Sequence, residues 1–154
     1  MNEKWNKRFM AIAQEVASWS KDPLRQVGAV AVSPYGRQIA EGYNGFPSMI
    51  DDDERLEDPN VKLLYVVHAE MNLIYNAASE GVSLRNSTVY VTLYPCHECA
   101  KGLISVGVKL ILVPSAEAGR HNSGKWENSH KLAEHMFTEA QIDVRAITEY
   151  EHEE

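Results

Sequence analysis

Trp5, Phe9, Ile12, Ala13, Val16 and Trp19 recur three or four residues apart, which predicts an amphipathic helix over residues 3–19. Ser20-Lys21-Asp22-Pro23 ends it, since proline cannot continue the helical hydrogen bonding. The pattern then becomes a continuous apolar run, Val27-Gly28-Ala29-Val30-Ala31-Val32, the signature of a buried strand. Pro34-Tyr35-Gly36 makes a turn, and Gln38 to Tyr43 pairs back to complete a hairpin. No period survives from Asn44 to about Leu64, where Gly45, Pro47, Pro59 and the acidic run Asp51-Asp52-Asp53-Glu54 predict a long loop.

A helix is expected from about His68 to Glu80, with Gly81 capping its end, then a strand over Ser87 to Leu93. A second helix runs from about Cys96 to Val106 and stops near Gly107; Val108 to Val113 is a short apolar strand. Pro114 to Lys125 reads as a polar loop, and residues 128–140 as a helix with Leu132, His135 and Met136 on one face. Ile142 to Ile147 is a candidate edge strand, followed by an acidic tail, Glu149 to Glu154. The order αββαβαβαβ predicts an α/β fold, a three-layer α/β/α sandwich with a mixed five-stranded sheet. The 154 residues form one expected domain.

Composition narrows the partners. Hydrophobic residues make up 44% of the chain, but no apolar run is long enough to span a membrane. The N-terminus is charged and lacks a signal peptide's apolar stretch, so the expected location is the cytoplasm. Fifteen basic residues against 22 acidic ones, a formal net charge of −7, argue against a nucleic-acid polymer and for a small-molecule substrate.

The candidate chemistry lies in His68-Ala69-Glu70 and Pro95-Cys96-His97-Glu98-Cys99. Taken alone, the C-x-x-C pair points to metal or redox chemistry, a thioredoxin-like redox pair being the plainer reading of the two. With His68 upstream it gives three ligands for Zn2+, the count that leaves a fourth tetrahedral position open for water. Cys96 and Cys99 are i and i+3, so both reach one ion, and a helix start favours thiolate. His68 is expected in the first turn of the preceding helix, so that two helix N-termini face one site. His97 and Glu98 are expected to be exposed and non-ligating, and His121, His130, His135 and His152 have no ligand-like spacing. The pattern H-x-E followed by P-C-x-x-C is the signature of the zinc nucleobase deaminases, in which the glutamate acts as general acid and base. Glu70 is therefore the catalytic candidate, in a hydrolytic deamination that needs no organic cofactor.

More of the chain resembles the deoxycytidylate (dCMP) deaminase family over about residues 5–113. The carrying segments are Ser20-Lys21-Asp22-Pro23, Gln26 to Val30, Gly42-Tyr43-Asn44-Gly45-Phe46-Pro47, Tyr65 to Asn72 and Tyr90 to Lys101. The resemblance implies a cytidine deaminase-like fold and conversion of dCMP to dUMP for thymidylate synthesis. It implies that Asn44 contacts the sugar and that the backbone at Ala69 reads the pyrimidine carbonyl. It also implies a homo-oligomer, hexamer or dimer, activated by dCTP and inhibited by dTTP at a loop including Tyr43, Gly45 and Phe46. The acidic run is then either a solvated loop or an effector loop holding Mg2+ with a deoxynucleoside triphosphate. Arg25, Lys21 and Arg120 are candidate phosphate contacts or solvated charges, and Tyr94 stacks on the base or belongs to the core. Other readings keep the zinc chemistry but act on cytosine, cytidine, guanine or tRNA adenosine. A further one is a non-catalytic, zinc-stabilised binding module.

Overall fold

The computed structural model describes residues 2–115, 118 and 124–147. Side chains alternate across a strand, and that alternation divides the core in two. Val30, Val32, Tyr90 and Leu112 meet Phe9, Met10, Ala13 and Val16 of α1 (Glu3–Ala17) on one face of the sheet. On the other face, Ala29, Ala31, Val89, Val91, Ile111 and Val113 pack with three helices. These are α3 (Ala69–Ser79) through Leu73 and Ala77, α4 (His97–Ser105) through Leu103, and α5 (Lys125–Glu139) through Ala133 and Phe137. The result is the expected three-layer α/β/α arrangement.

The five strands are β1 (Gly28–Val32), β2 (Gln38–Tyr43), β3 (Thr88–Val91), β4 (Leu110–Val113) and β5 (Asp143–Ala146), in the order β2-β1-β3-β4-β5. β1 is antiparallel to both β2 and β3, while β3, β4 and β5 run parallel. A strand flanked on both edges and covered on both faces has no polar side, which accounts for the unbroken apolar run of β1. The crossovers β3-α4-β4 and β4-α5-β5 keep one hand and so lay α4 and α5 on the same face as α3.

Two glycines set how closely helices approach this sheet. A Cβ at Gly28 would lie 2.1 Å from the Ala13 carbonyl oxygen of α1, and one at Gly42 2.3 Å from the Leu73 nitrogen of α3. Only glycine admits this backbone-to-backbone packing. The amides of Asn72 and Asn76 donate to the β2 carbonyls of Tyr43 and Glu41, each at 2.8 Å, covering the exposed edge of the sheet.

Three expectations need correction. The stretch from Asn44 to Leu64 is not loop throughout: it holds a 3₁₀ turn (Glu54–Leu56) and α2 (Pro59–Tyr65). Seven residues are too few to show a period, but Asp58 caps α2 by accepting from the Asn60 and Val61 N–H groups, and Pro59 occupies a first-turn position where its missing N–H costs nothing. The buried face of α5 is Ser129, His130, Ala133 and Phe137, whereas Leu132 and His135 face solvent and Met136 is half-buried. His68 and Cys96 are N-cap residues, one position before the helical turns in which they were expected. The acidic tail Glu149 to Glu154, most of the loop after Pro114, Arg120, His121 and His152 lie outside the described residues. No helix among the described residues is long and apolar enough to cross a membrane.

Candidate active site

α3 and α4 start side by side: their N-caps, His68 and Cys96, carry two of the donor atoms, and Cys99 in the first turn of α4 carries the third. His68 Nδ1 lies 3.5 Å from the sulfur of Cys96 and 3.5 Å from that of Cys99. The three donor atoms fall within 4.8 Å of one another, and among the described residues this is the group able to hold a metal ion. On a tetrahedral zinc ion with bonds of about 2.1 Å to nitrogen and 2.3 Å to sulfur, such donors stand about 3.6 Å apart. The donors are thus already placed for one ion. Two thiols and an imidazole also suit zinc better than magnesium or calcium, which take oxygen ligands.

Electrostatics favour the same reading. The pKa of Cys96 is lowered to about 4, first by the hydrogen bond from the Cys99 thiol and further by His68 and the Cys99 N–H, against its own burial. Cys99 moves the opposite way, raised by the Cys96 thiolate, by burial and by Glu70. A cation between the two sulfurs would carry both as thiolates. His68 is pushed up by Cys96, against its burial. Glu70 is buried, 4% exposed, in the first turn of α3. Desolvation raises its pKa, against the lowering effect of a backbone N–H and of His68.

A cavity of about 360 Å³ opens onto these groups. His68, Ala69, Glu70 and Cys96 are in its lining, together with Leu24, Arg25, Asn44, Lys62, Tyr94, Trp126 and His130 among others. Asn44 is buried with its amide engaged: Oδ1 accepts the Val27 N–H at 2.8 Å and Nδ2 donates to the Arg25 carbonyl at 2.8 Å. Tyr94 is buried and meets His130 edge-on at 5.5 Å between ring centres.

The cavity thus gathers His68, Ala69, Glu70, Cys96, Asn44, Tyr94 and Arg25, while Cys99 completes the donor group beside it. Lys21 is not among the lining residues; it is paired with Asp52 at 3.0 Å. Asp53 faces Arg55 at 2.7 Å, so these two carboxylates of the acidic run turn towards cations and not towards each other. Tyr43, Gly45 and Phe46 lie off the cavity lining; Tyr43 packs against Trp19, and Phe46 against Tyr65 and Arg55. His97 is not fully exposed as expected: it is half-buried, with Nδ1 2.8 Å from the Ser129 hydroxyl of α5. Sequence reasoning missed Lys62, Trp126 and His130. Trp126 and His130 are i and i+4 at the start of α5, a spacing that puts two rings on one face, but nothing local shows which cavity that face meets.

A helix-capped His/Cys/Cys donor group beside a buried glutamate, on this mixed sheet, defines a zinc-dependent deaminase. The profile of the cytidine and deoxycytidylate deaminase zinc-binding region matches residues 3–114, and the chain belongs to that family. An uncharacterized deaminase from the luxG 3′ region of Aliivibrio fischeri is 34% identical over 144 residues, 94% of each chain. A probable deoxycytidylate deaminase of Drosophila melanogaster is 44% identical over 122 residues, 70% of this chain but 58% of the fly protein. The fold is shared with the dCMP deaminase of cyanophage S-TIM5, solved in complex with dCMP and dUMP. That match has a TM-score of 0.73 at 23% identity and covers 95% of this chain and 98% of the phage chain.

Proposed function

We propose that the protein hydrolyses dCMP to dUMP and ammonia, with His68, Cys96 and Cys99 holding one zinc ion and Glu70 moving the protons. The observation that carries this reading is one cavity whose lining joins two of the three metal donors, His68 and Cys96, with the buried carboxylate of Glu70 and a guanidinium-bearing residue, Arg25, while Cys99 completes the donor group beside it. The nucleotides bound by the phage relative and the name of the fly relative support dCMP over other amino-substituted bases.

Zinc held by His68, Cys96 and Cys99 would supply Lewis acidity and lower the pKa of water at the open position to about 7. Glu70 accepts a proton from the attacking water and delivers it to the ring nitrogen as the amino-bearing carbon becomes tetrahedral. The same carboxylate then takes the remaining proton of the added hydroxyl, which becomes the product carbonyl as the C–N bond breaks, and passes it to the departing amine, so one residue serves each transfer in turn. Burial of Glu70 keeps bulk water from competing for that proton. The Ala69 backbone meets the pyrimidine carbonyl, Asn44 the sugar and Tyr94 the base, and Arg25 pairs with the phosphate. Asn44 keeps one lone pair of Oδ1 beyond its bond to Val27, enough to accept from a sugar hydroxyl.

The proposal extends to a cytoplasmic homo-oligomer regulated by dCTP and dTTP through the Tyr43 to Pro47 loop, with Mg2+ accompanying the triphosphate. In support, Trp19 and Tyr43 are respectively 49% and 40% exposed and stack edge-on beside that loop, an aromatic surface of the kind that subunits or bases cover. The test is turnover of dCMP beside deoxycytidine, cytosine and dCTP, followed by ultraviolet absorbance, with Glu70→Ala as blank. Turnover of dCMP that drops about 1,000-fold or more in the blank while zinc stays bound is expected. Wild-type protein that holds zinc yet leaves dCMP untouched would overturn the proposal.

A further inference from the structure

Lys62 is the buried lysine among the described residues, and its ammonium lies 3.0 Å from Asp22 Oδ2 and 3.2 Å from Oδ1. Both side chains are shielded, at 11% and 4% exposure. A buried ion pair is a weak source of stability, because desolvating two charges offsets their attraction. Its place in the cavity wall therefore asks for another account.

That account lies in what Asp22 holds. Its Oδ1 accepts the N–H groups of Leu24 at 2.9 Å and Arg25 at 3.1 Å, and its Oδ2 lies 3.5 Å from Asn44 Nδ2. The Asn44 amide in turn takes the Arg25 carbonyl and the Val27 N–H. The main chain of Arg25 is thus gripped at both its N–H and its carbonyl, and both grips converge on the one carboxylate that Lys62 neutralises. The Arg25 side chain is left exposed, with no ion-pair partner among the described residues. Lys62 itself rides on α2, whose last residues lead through the Gly45–Val67 bridge to His68. The pair therefore ties the wall carrying Arg25 to the segment carrying the metal donor and Glu70.

We infer that Lys62 is a positioning residue that, through Asp22, fixes Arg25 at the cavity and makes the site select a nucleoside monophosphate over the nucleoside. This rests on the reading of Arg25 as the phosphate contact. Lys62 does not supply that contact, since its charge is already matched by Asp22. An arginine on a pre-ordered main chain loses less freedom when it binds an oxyanion, and that saving appears only for ligands that carry the phosphate.

The test measures dissociation constants of dUMP and deoxyuridine by calorimetry on zinc-loaded wild type, Arg25→Ala, Lys62→Met and the double variant. Lys62→Met is expected to weaken dUMP about tenfold while deoxyuridine changes by less than about twofold. In the double variant dUMP binds no worse than in Arg25→Ala, because Lys62 acts through Arg25. Equal weakening of both ligands by Lys62→Met would reduce the residue to a structural role, and additive losses in the double variant would give Lys62 its own phosphate contact; either result overturns the inference. An unchanged dUMP-to-deoxyuridine ratio in Arg25→Ala would remove the phosphate assignment itself, and with it this inference, so the two failures are told apart. Should Lys62→Met not fold, Asp22→Asn/Lys62→Met removes both charges together, avoids an unpaired buried carboxylate, and is expected to show the same ratios.

Discussion

Gly42→Ala tests how the fold positions the chemistry. The added Cβ would lie 2.3 Å from the Leu73 nitrogen, 2.5 Å from the Ala69 carbonyl oxygen and 2.8 Å from the Leu73 Cα, all backbone atoms of α3 that no rotamer change can move. Ordinary contact is about 3.5 Å, so α3 must retreat from β2 by about 1 Å. Overpacking of this kind costs about 3 kcal/mol, which in a domain of this size lowers Tm by about 10 °C. The retreat also carries Glu70, in the first turn of α3, away from the cysteines on α4, and a misplacement of about 1 Å costs about 100-fold in turnover.

Gly28→Ala is the control: its Cβ would meet Ala13 and Ala17 of α1, on the opposite face of the sheet from the donors. Gly45→Ala is the second control, since the nearest atom to its Cβ is a Tyr43 ring carbon at 4.0 Å. Urea unfolding followed by circular dichroism gives stability, and dCMP turnover per folded molecule gives activity. Gly28→Ala and Gly42→Ala should lose similar stability, Gly45→Ala almost none, and only Gly42→Ala should lose turnover beyond its loss of folded protein. Equal turnover per folded molecule in Gly28→Ala and Gly42→Ala would refute the argument that the approach of α3 sets the catalytic geometry.

Cys99→Ser leaves two good donors and should weaken zinc binding by at least about 100-fold; metal content after dialysis against a mild chelator reads this directly, and full retention would exclude Cys99 as a ligand. The charge of Asp22 also has a pH signature. Its burial alone would raise its pKa, but the N–H groups of Leu24 and Arg25 together with Lys62 outweigh that and leave it below 3.8. A carboxylate with a depressed pKa stabilises the fold above its unfolded value and loses that contribution as pH falls through the folded value. The stability advantage of wild type over Asp22→Asn should therefore be constant from pH 7 to about 5 and shrink below about 4. An advantage that grew towards low pH would reverse the sign of the interaction.

The parts whose cause is local could be read along the chain. The apolar runs at 27–32 and 110–113 had to become interior strands, because nothing polar in them offers a face to water. The spacings His68-x-Glu70 and Cys96-x-x-Cys99 put each pair within reach of one point whichever helix cap carries it. Even the end of α3 was legible: Gly81, at a φ of 68°, adopts the left-handed conformation that glycine takes without strain. Who else meets at that point depends on how the chain folds back on itself. Lys62 reaches Asp22 across 40 residues, and Asn44 grips Arg25 across 19. Trp126 and His130 join the cavity because the crossover from β4 lays α5 beside α4. Such contacts leave no periodicity behind, since they depend on strand order and on the close approach of helices that Gly28 and Gly42 permit. The chemistry was therefore readable along the chain, whereas the wall that chooses a substrate for it exists only once the sheet has brought distant segments together.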